Sequence, residues 1–386
     1  MKLYDLTSRK SFIAKSLLFF GGLAIICLSV SGIAPATAPK KHVVIGYVGG
    51  YKGLVNTDKI DATKMTHINY AFVDVQGGKA FLTNLKTDST NFRKLNLLKK
   101  KNKDLKILIS IGGWAWSENF SDAVLTEASR ELFAKSSVDI IRQYKLDGVD
   151  IDWEYPGMPG EKGNVYRKED KENFTLMFQA IRKELDVLEK ETRQKKLLTT
   201  ATAGFASFLD NTEMGKAAVY LDYINLMTYD LFAGGIAAHH TNLYPTKVYK
   251  MENSADNAIK AYMAAGVPAH KLVMGIAFYE RVFNVENPVN KGIGDKRIGE
   301  KYGKGFTHVK DSLINKNGFV AYLDKDAMAP YLFNATTNQF VTYDDELSVR
   351  NKCLYVMDKK MGGVMFWVYG SDPKEYLLDE INRTLK

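Results

Sequence analysis

The stretch LDGVDIDWE, Leu146 to Glu154, alternates aliphatic residues with acids: Val149 and Ile151 stand between Asp147, Asp150, Asp152 and Glu154. Apart from its charges it reads as a buried strand. Strand side chains alternate faces, so Asp150, Asp152 and Glu154 project from one face, neighbours about 6.5–7 Å apart. Burying three like charges costs several kcal/mol unless they share protons or meet donors, so the ladder points to chemistry rather than to packing. Seven further runs resemble it in length and apolar content: residues 42–48, 67–75, 105–113, 197–204, 220–230, 271–281 and 362–370. Their near-continuous hydrophobicity predicts strands covered on both faces. Amphipathic helical stretches such as SRELFAKSSVDIIRQY and KENFTLMFQAIRKELDVLEKE lie between them. Eight alternating β/α units predict an α/β fold, a (β/α)8 TIM barrel. A doubly wound open sheet is the competing arrangement. It is disfavoured because polar and aromatic residues gather at the C-terminal ends of the runs, where a barrel builds its site.

One connection is too long for a simple turn. After Arg281 about sixty residues precede the helical DDELSVRNKCLYVMDKK, and they contain the alternating pieces GFVAYLD, APYLFN and NQFVTYDD. These predict antiparallel strands and a small α+β insertion after the seventh barrel strand, residues 282–343, standing on the catalytic face as one wall of a groove. The barrel with its insertion occupies residues 39–386, and no tandem repeat, low-complexity linker or separate binding module is visible.

The amino terminus differs in character. Lys2, Arg9, Lys10 and Lys15 precede the apolar SLLFFGGLAIICLSVSGIA, which predicts a secretory signal within residues 1–38 and an exported, secreted or cell-surface protein. An uncleaved membrane anchor is the alternative, because the apolar run is close to the minimum for a span. Cys27 falls inside this segment and leaves Cys353 alone, so a mature chain has no internal disulfide, and Cys353 reads as a small buried hydrophobe. The formal charge is +9; the four basic residues and Asp5 of the first 38 positions carry three of those charges, leaving +6. The densest basic patch, LLKKKNKDLK, reads as a solvated helix end rather than a nucleic-acid site.

A barrel strand ending in three acids presents Glu154 furthest toward the open face, where a proton donor reaches a substrate. The inner carboxylates disfavour its ionisation and keep part of it protonated near neutral pH. A metal-binding acid cluster or a stiffening network is the other reading of the spacing. No second acidic cluster supplies the further ligands a barrel metal site draws from other strands, so neither metal nor cofactor is expected.

DGVDIDWEYPG resembles the DxxDxDxE signature of glycoside hydrolase family 18, the chitinases and their relatives, and SIGGW (Ser110 to Trp114) resembles that family's third-strand SxGG motif. INYAF, LMTYD, KLVMGIAFYER and GGVMFWVYG are similar to its second, sixth, seventh and eighth strands, so the likeness runs over residues 42–386. The long insertion resembles that of the family's deep-grooved chitinases and is missing from many relatives that act on N-glycans.

The resemblance implies Glu154 as general acid and later base, and Asp152 as the residue that orients the substrate's acetamido group. Asp150 holds or shares the proton of Asp152, and Tyr229 donates to the acetamido carbonyl. Trp367 forms an apolar floor under the sugar ring, Asp230 binds a sugar hydroxyl or the acetamido region, and Met227, Tyr47, Phe72 and Arg281 join the substrate-binding set. Trp114 is a stacking platform or a loop anchor. Asp147, at an odd offset, is a structural hydrogen-bonding residue; Ser110, Gly112 and Gly113 serve packing around the acids. His239 and His240 are adjacent and take polar loop roles rather than sharing a metal. The sequence departs from the family pattern at Glu280, at Val368 and in MTYDLFAGG, which lacks a histidine that often follows the motif. The implied activity is hydrolysis of β-1,4 bonds between N-acetylglucosamine units of chitin or its oligosaccharides, by a substrate-assisted retaining mechanism, in a monomer with no nucleic-acid or obligate protein partner. An endo-β-N-acetylglucosaminidase and a non-catalytic chitin-binding lectin are the rival functions.

Overall fold

The computed structural model describes residues 42–386; the expected signal, residues 1–38, lies outside them. Among the described residues no helix is long and apolar enough to cross a membrane. The strands in chain order are β1 (Val43–Gly49), β2 (His67–Gln76), β3 (Lys79–Phe81), β4 (Lys106–Gly112), β5 (Gly148–Asp152), β6 (Leu197–Ala203), β7 (Tyr223–Met227) and β8 (Leu272–Ala277). Then come β9 (Arg281–Val285), β10 (Arg297–Tyr302), β11 (Phe319–Asp324), β12 (Ala329–Asn334), β13 (Gln339–Thr342) and β14 (Gly363–Trp367). Eight of them, β1, β2, β4, β5, β6, β7, β8 and β14, pair in parallel, and β1 bonds to both β2 and β14, which closes the sheet into a barrel with helices between strands. This is the (β/α)8 architecture, and β3 is a short antiparallel appendage of β2.

Period-two alternation sorts each strand between two cores. In β1, Val43, Ile45 and Tyr47 join the barrel interior with Val273 and Met365, whereas Val44 and Val48 join the layer beneath the helices. The helices are cut locally. Glu127–Tyr144 begins at a reciprocal cap between Thr126 and Ser129 and stops at Lys145, whose φ of 54° is left-handed.

Between β8 and the helix Glu346–Asp358 the chain builds a five-stranded antiparallel sheet in the order β10-β9-β13-β12-β11. Its own core contains Phe283, Tyr331, Phe333 and Phe340. The edge strand β10 is largely exposed. A fully buried pair joins this insertion to the barrel: Lys352 Nζ lies 2.8 and 2.7 Å from the two oxygens of Asp344 and 2.6 Å from Thr241 Oγ1. Asp344 Oδ2 also accepts from the backbone N–H of Ala277 at the end of β8. Cys353, next to this lysine, is buried.

Candidate active site

At the third and fourth barrel strands the register sets Ser110 opposite Asp150 and Gly112 opposite Asp152. Asp150 is fully buried beneath the mouth and collects donors from around the barrel: Ser110 Oγ at 2.8 Å, Tyr47 Oη at 2.9 Å, Thr199 Oγ1 at 2.5 Å and Asn225 Nδ2 at 3.2 Å. Burial raises its pKa, and the bonds from Thr199, Ser110 and Tyr47 pull it back. Ser110 is thus a direct partner of the innermost acid. Asp147, by contrast, faces the barrel's other end, where it accepts from Ile107 N–H at 2.8 Å and pairs with Lys99.

Asp152 is 4% exposed, and its Oδ1 has no hydrogen-bond partner. Burial first, then the charges of Glu154 and Asp150, push its pKa well up. Close approach of the backbone here depends on Gly112, whose φ is +107° and where a Cβ would stand 2.3 Å from Asp152 O. Beyond the end of β5, Trp153 turns outward to stack on Phe120 at 5.2 Å, which turns Glu154 inward. Two side chains fix the Glu154 backbone: its N–H donates to Ser117 Oγ (2.9 Å) and its carbonyl accepts from Asn164 Nδ2 (3.0 Å). Burial is the main reason its pKa rises to about 7; a bond from Tyr155 opposes the rise and the charge of Asp230 adds to it. A carboxyl poised near neutrality is suited to donate and later accept a proton.

Tyr229 and Asp230 follow the end of β7. Burial, and then the nearby acids led by Asp152, raise the Tyr229 phenol well above its ordinary range, so it stays a donor. Asp230 is held by Arg281 through Nε and Nη2, each at 2.7 Å, and by Tyr279 Oη at 2.8 Å. His240 Nδ1 is 3.4 Å from Asp230 Oδ1. Burial works to raise the pKa of Asp230, but His240 close beside it and the hydrogen bonds from Arg281 outweigh it and keep the carboxylate ionised. Burial also lowers the His240 pKa, which favours its neutral form. Although MTYDLFAGG carries no histidine, His240 returns from further along the chain to Asp230, while His239 turns away to Asp324 at 3.2 Å. Among the described residues no group of three or more His, Cys, Asp or Glu side chains is set to hold a metal ion.

These groups face a cavity of about 810 Å3 at the C-terminal mouth of the barrel. Trp367 and Phe72 both line it, with ring centroids 5.5 Å apart and planes inclined by 21°. Of the eleven residues singled out from sequence, ten line this cavity: Glu154, Asp152, Tyr229 and Asp230; Trp367, Phe72 and Tyr47; and Met227, Trp114 and Arg281. Asp150 alone is covered. Arg281 is 8% exposed and committed to Asp230, so it acts by fixing that carboxylate. Trp114 is 47% exposed and stands edge-on to Tyr155, with ring centroids 6.3 Å apart. Two departures from the family pattern prove to lie away from the cavity lining: Glu280 is buried and accepts from the N–H groups of Lys304 and Gly305, and Val368 packs in the barrel interior.

Residues not expected from the sequence also build the site: Thr199 and Asn225 at Asp150, and Tyr51, Tyr155, Tyr279 and Tyr302 on the cavity wall. Tyr155 and Tyr279 stand inside quoted motifs, next to Glu154 and Glu280, and their position there is a usable signal. Tyr302 carries none. It reaches the cavity only because the insertion folds back, with the Arg281 guanidinium 3.5 Å from its ring centroid.

The family profile of the glycosyl hydrolases family 18 matches residues 43–372. The chain is 35% identical to chitinase A1 of Niallia circulans, over 96% of this chain and 63% of that protein. It is 32% identical to endochitinase 1 of Metarhizium robertsii, over 94% of this chain and 90% of that protein. Among solved structures, a glycoside hydrolase family 18 N-acetylglucosaminidase from Paenibacillus barengoltzii superposes with a TM-score of 0.83 at 39% identity, covering 89% of this chain and 99% of that one. The chain thus spans just under two thirds of the bacterial chitinase and most of the other two.

Proposed function

The chain belongs to family 18 of the glycosyl hydrolases, and from that membership we propose that it is a chitinase cleaving β-1,4 bonds between N-acetylglucosamine units by substrate assistance. The observation that carries this reading is the orphaned Asp152 Oδ1, buried at the cavity between Asp150 and Glu154. A buried acceptor without a donor is costly, and an acetamido N–H at that place would relieve it. Tyr229, kept protonated, is the donor for the acetamido carbonyl. Trp367 and Phe72 supply an apolar floor for the ring.

With Asp152 engaged in this way, the substrate's own carbonyl oxygen attacks the anomeric carbon and closes a cyclic intermediate. Glu154 delivers its proton to the departing oxygen, then takes one from the water that opens the ring. Asp152 and Tyr229 stabilise the charge that develops on the acetamido group. Products leave with the β configuration, and no cut follows a sugar that lacks its acetyl group.

Proton NMR of fresh products from chitooligosaccharides and partly deacetylated chains tests both statements; initial α-anomer, or efficient cutting after glucosamine, overturns the mechanism. Glu154→Gln is expected to lower kcat by about 10²–10⁴-fold with oligosaccharide binding kept. A second reading, release of single N-acetylglucosamine units from chain ends, is supported by the likeness to the Paenibacillus N-acetylglucosaminidase. The lengths of the first products from a hexamer separate the two. The basic and apolar segment at the amino terminus supports export, which an insoluble external polymer requires.

A further inference from the structure

Two lysine-rich stretches that are far apart in the chain, LLKKKNKDLK (97–106) and RQKK (193–196), meet at the end of the barrel opposite the mouth. They line an open pocket of about 300 Å3 at the N-terminal ends of β4 and β6, bounded by Lys99, Lys103, Lys106, Lys195, Gln194 and Asp147, with Lys103, Gln194 and Lys195 exposed to solvent. That volume is at the lower end of the range of about 300–1,000 Å3 found for small-ligand sites.

The local charges do not cancel. Lys99 is satisfied by Asp147 at 2.6 Å, and Lys195 by Asp222. Among the described residues no carboxylate pairs with Lys103 or Lys106. Behind the wall a further lysine, Lys196, is 3% exposed and donates to Leu146 O at 2.9 Å. Burial chiefly lowers its pKa; Asp147 opposes that shift, and the charges of Lys99 and Lys106 add to it. Helix-end carbonyls give lysines at 97–101 a reason to exist, since cations are favoured there. Lys103, Lys106 and Lys195 lie beyond those helix ends, around the cavity.

We propose that this cavity is an anion site, separate from the catalytic mouth, that binds a multiply charged phosphate or phosphodiester group through Lys103 and Lys106, with Lys195 and Gln194 at its rim. The shared chemistry has two sources, a free polyphosphate and a phosphodiester polymer held against the barrel's lower end.

Isothermal titration of the full chain with inorganic pyrophosphate at low ionic strength, and separately with poly(glycerol phosphate), tests the site. The wild type is expected to bind saturably, more weakly as salt rises. Lys103→Gln/Lys106→Gln is expected to weaken binding by about tenfold or more, given the strength of hydrogen bonds to charged groups. The charge-matched control Lys100→Gln/Lys101→Gln, outside the cavity, changes it by about twofold at most. Both variants keep oligosaccharide cleavage, which checks their folds. Tighter binding of either ligand identifies its source. No saturable binding by the wild type, or an equal loss in the control, overturns the proposal.

Discussion

The charge of Asp230 bears on Glu154. It remains ionised because Arg281, Tyr279 and His240 surround it, and its negative charge adds to the burial that raises Glu154 to about 7. The acid must carry its proton to act, so kcat/KM should fall as pH rises through that value. Asp230→Asn removes the negative charge and leaves the Arg281 guanidinium unopposed. Both changes favour ionised Glu154. The alkaline limb of the kcat/KM profile should therefore move to lower pH by about 0.5–1 unit. A limb that stays in place would show that burial alone sets the acid.

The insertion and the barrel meet through charge rather than through apolar packing alone. Lys352, on the helix that follows the insertion, grips Asp344, which also receives Thr241 Oγ1 at 2.9 Å and Ser348 Oγ at 2.7 Å. Thr241 in turn reaches Thr228 O, one residue before Tyr229. The pair thus ties β8, the loop after β7 and the insertion's last turn into one joint. Lys352→Met leaves Asp344 buried without its cation, and urea unfolding should report a loss of about 3–5 kcal/mol. Adding Asp344→Leu should recover only part of it, because Ala277 N–H, Thr241 and Ser348 then lose their acceptor. A single variant as stable as wild type would mean that the joint contributes nothing.

The fold carries the site at a cost to its own stability. Glu154 rises from an ordinary 4.5 to about 7 because the native state buries it, so the folded chain binds more protons than the unfolded one between those values. Stability therefore falls as pH rises across this window, and the loss is complete above the folded pKa. Glu154→Gln removes that dependence. The variant should melt at a higher temperature than wild type at pH 8, with the gap shrinking steadily toward pH 5. A gap that is constant with pH, or reversed, would be inconsistent with a buried titrating carboxyl at this position.

Much of this architecture was legible in the chain because strand alternation is a local property. Val149 and Ile151 against Asp150 and Asp152 announce a strand with one acidic face, and eight such runs separated by helical periods leave few folds other than the barrel. GFVAYLD and NQFVTYDD mark antiparallel strands by the same alternation, and these residues form β11 and β13 of the inserted sheet. Which side chains meet is set by the folded chain. Asp150 takes its donors from Tyr47, Ser110, Thr199 and Asn225, at separations of 103, 40, 49 and 75 residues. Lys103 and Lys195 bound one cavity from different strands' ends, and Tyr302 comes to Arg281 from the edge of another sheet. Closure of the barrel and the folding back of the insertion set these contacts, and neither leaves a periodic trace along the chain. Alternation tells a side chain which face it shares; only the register between distant strands tells it which partners wait there.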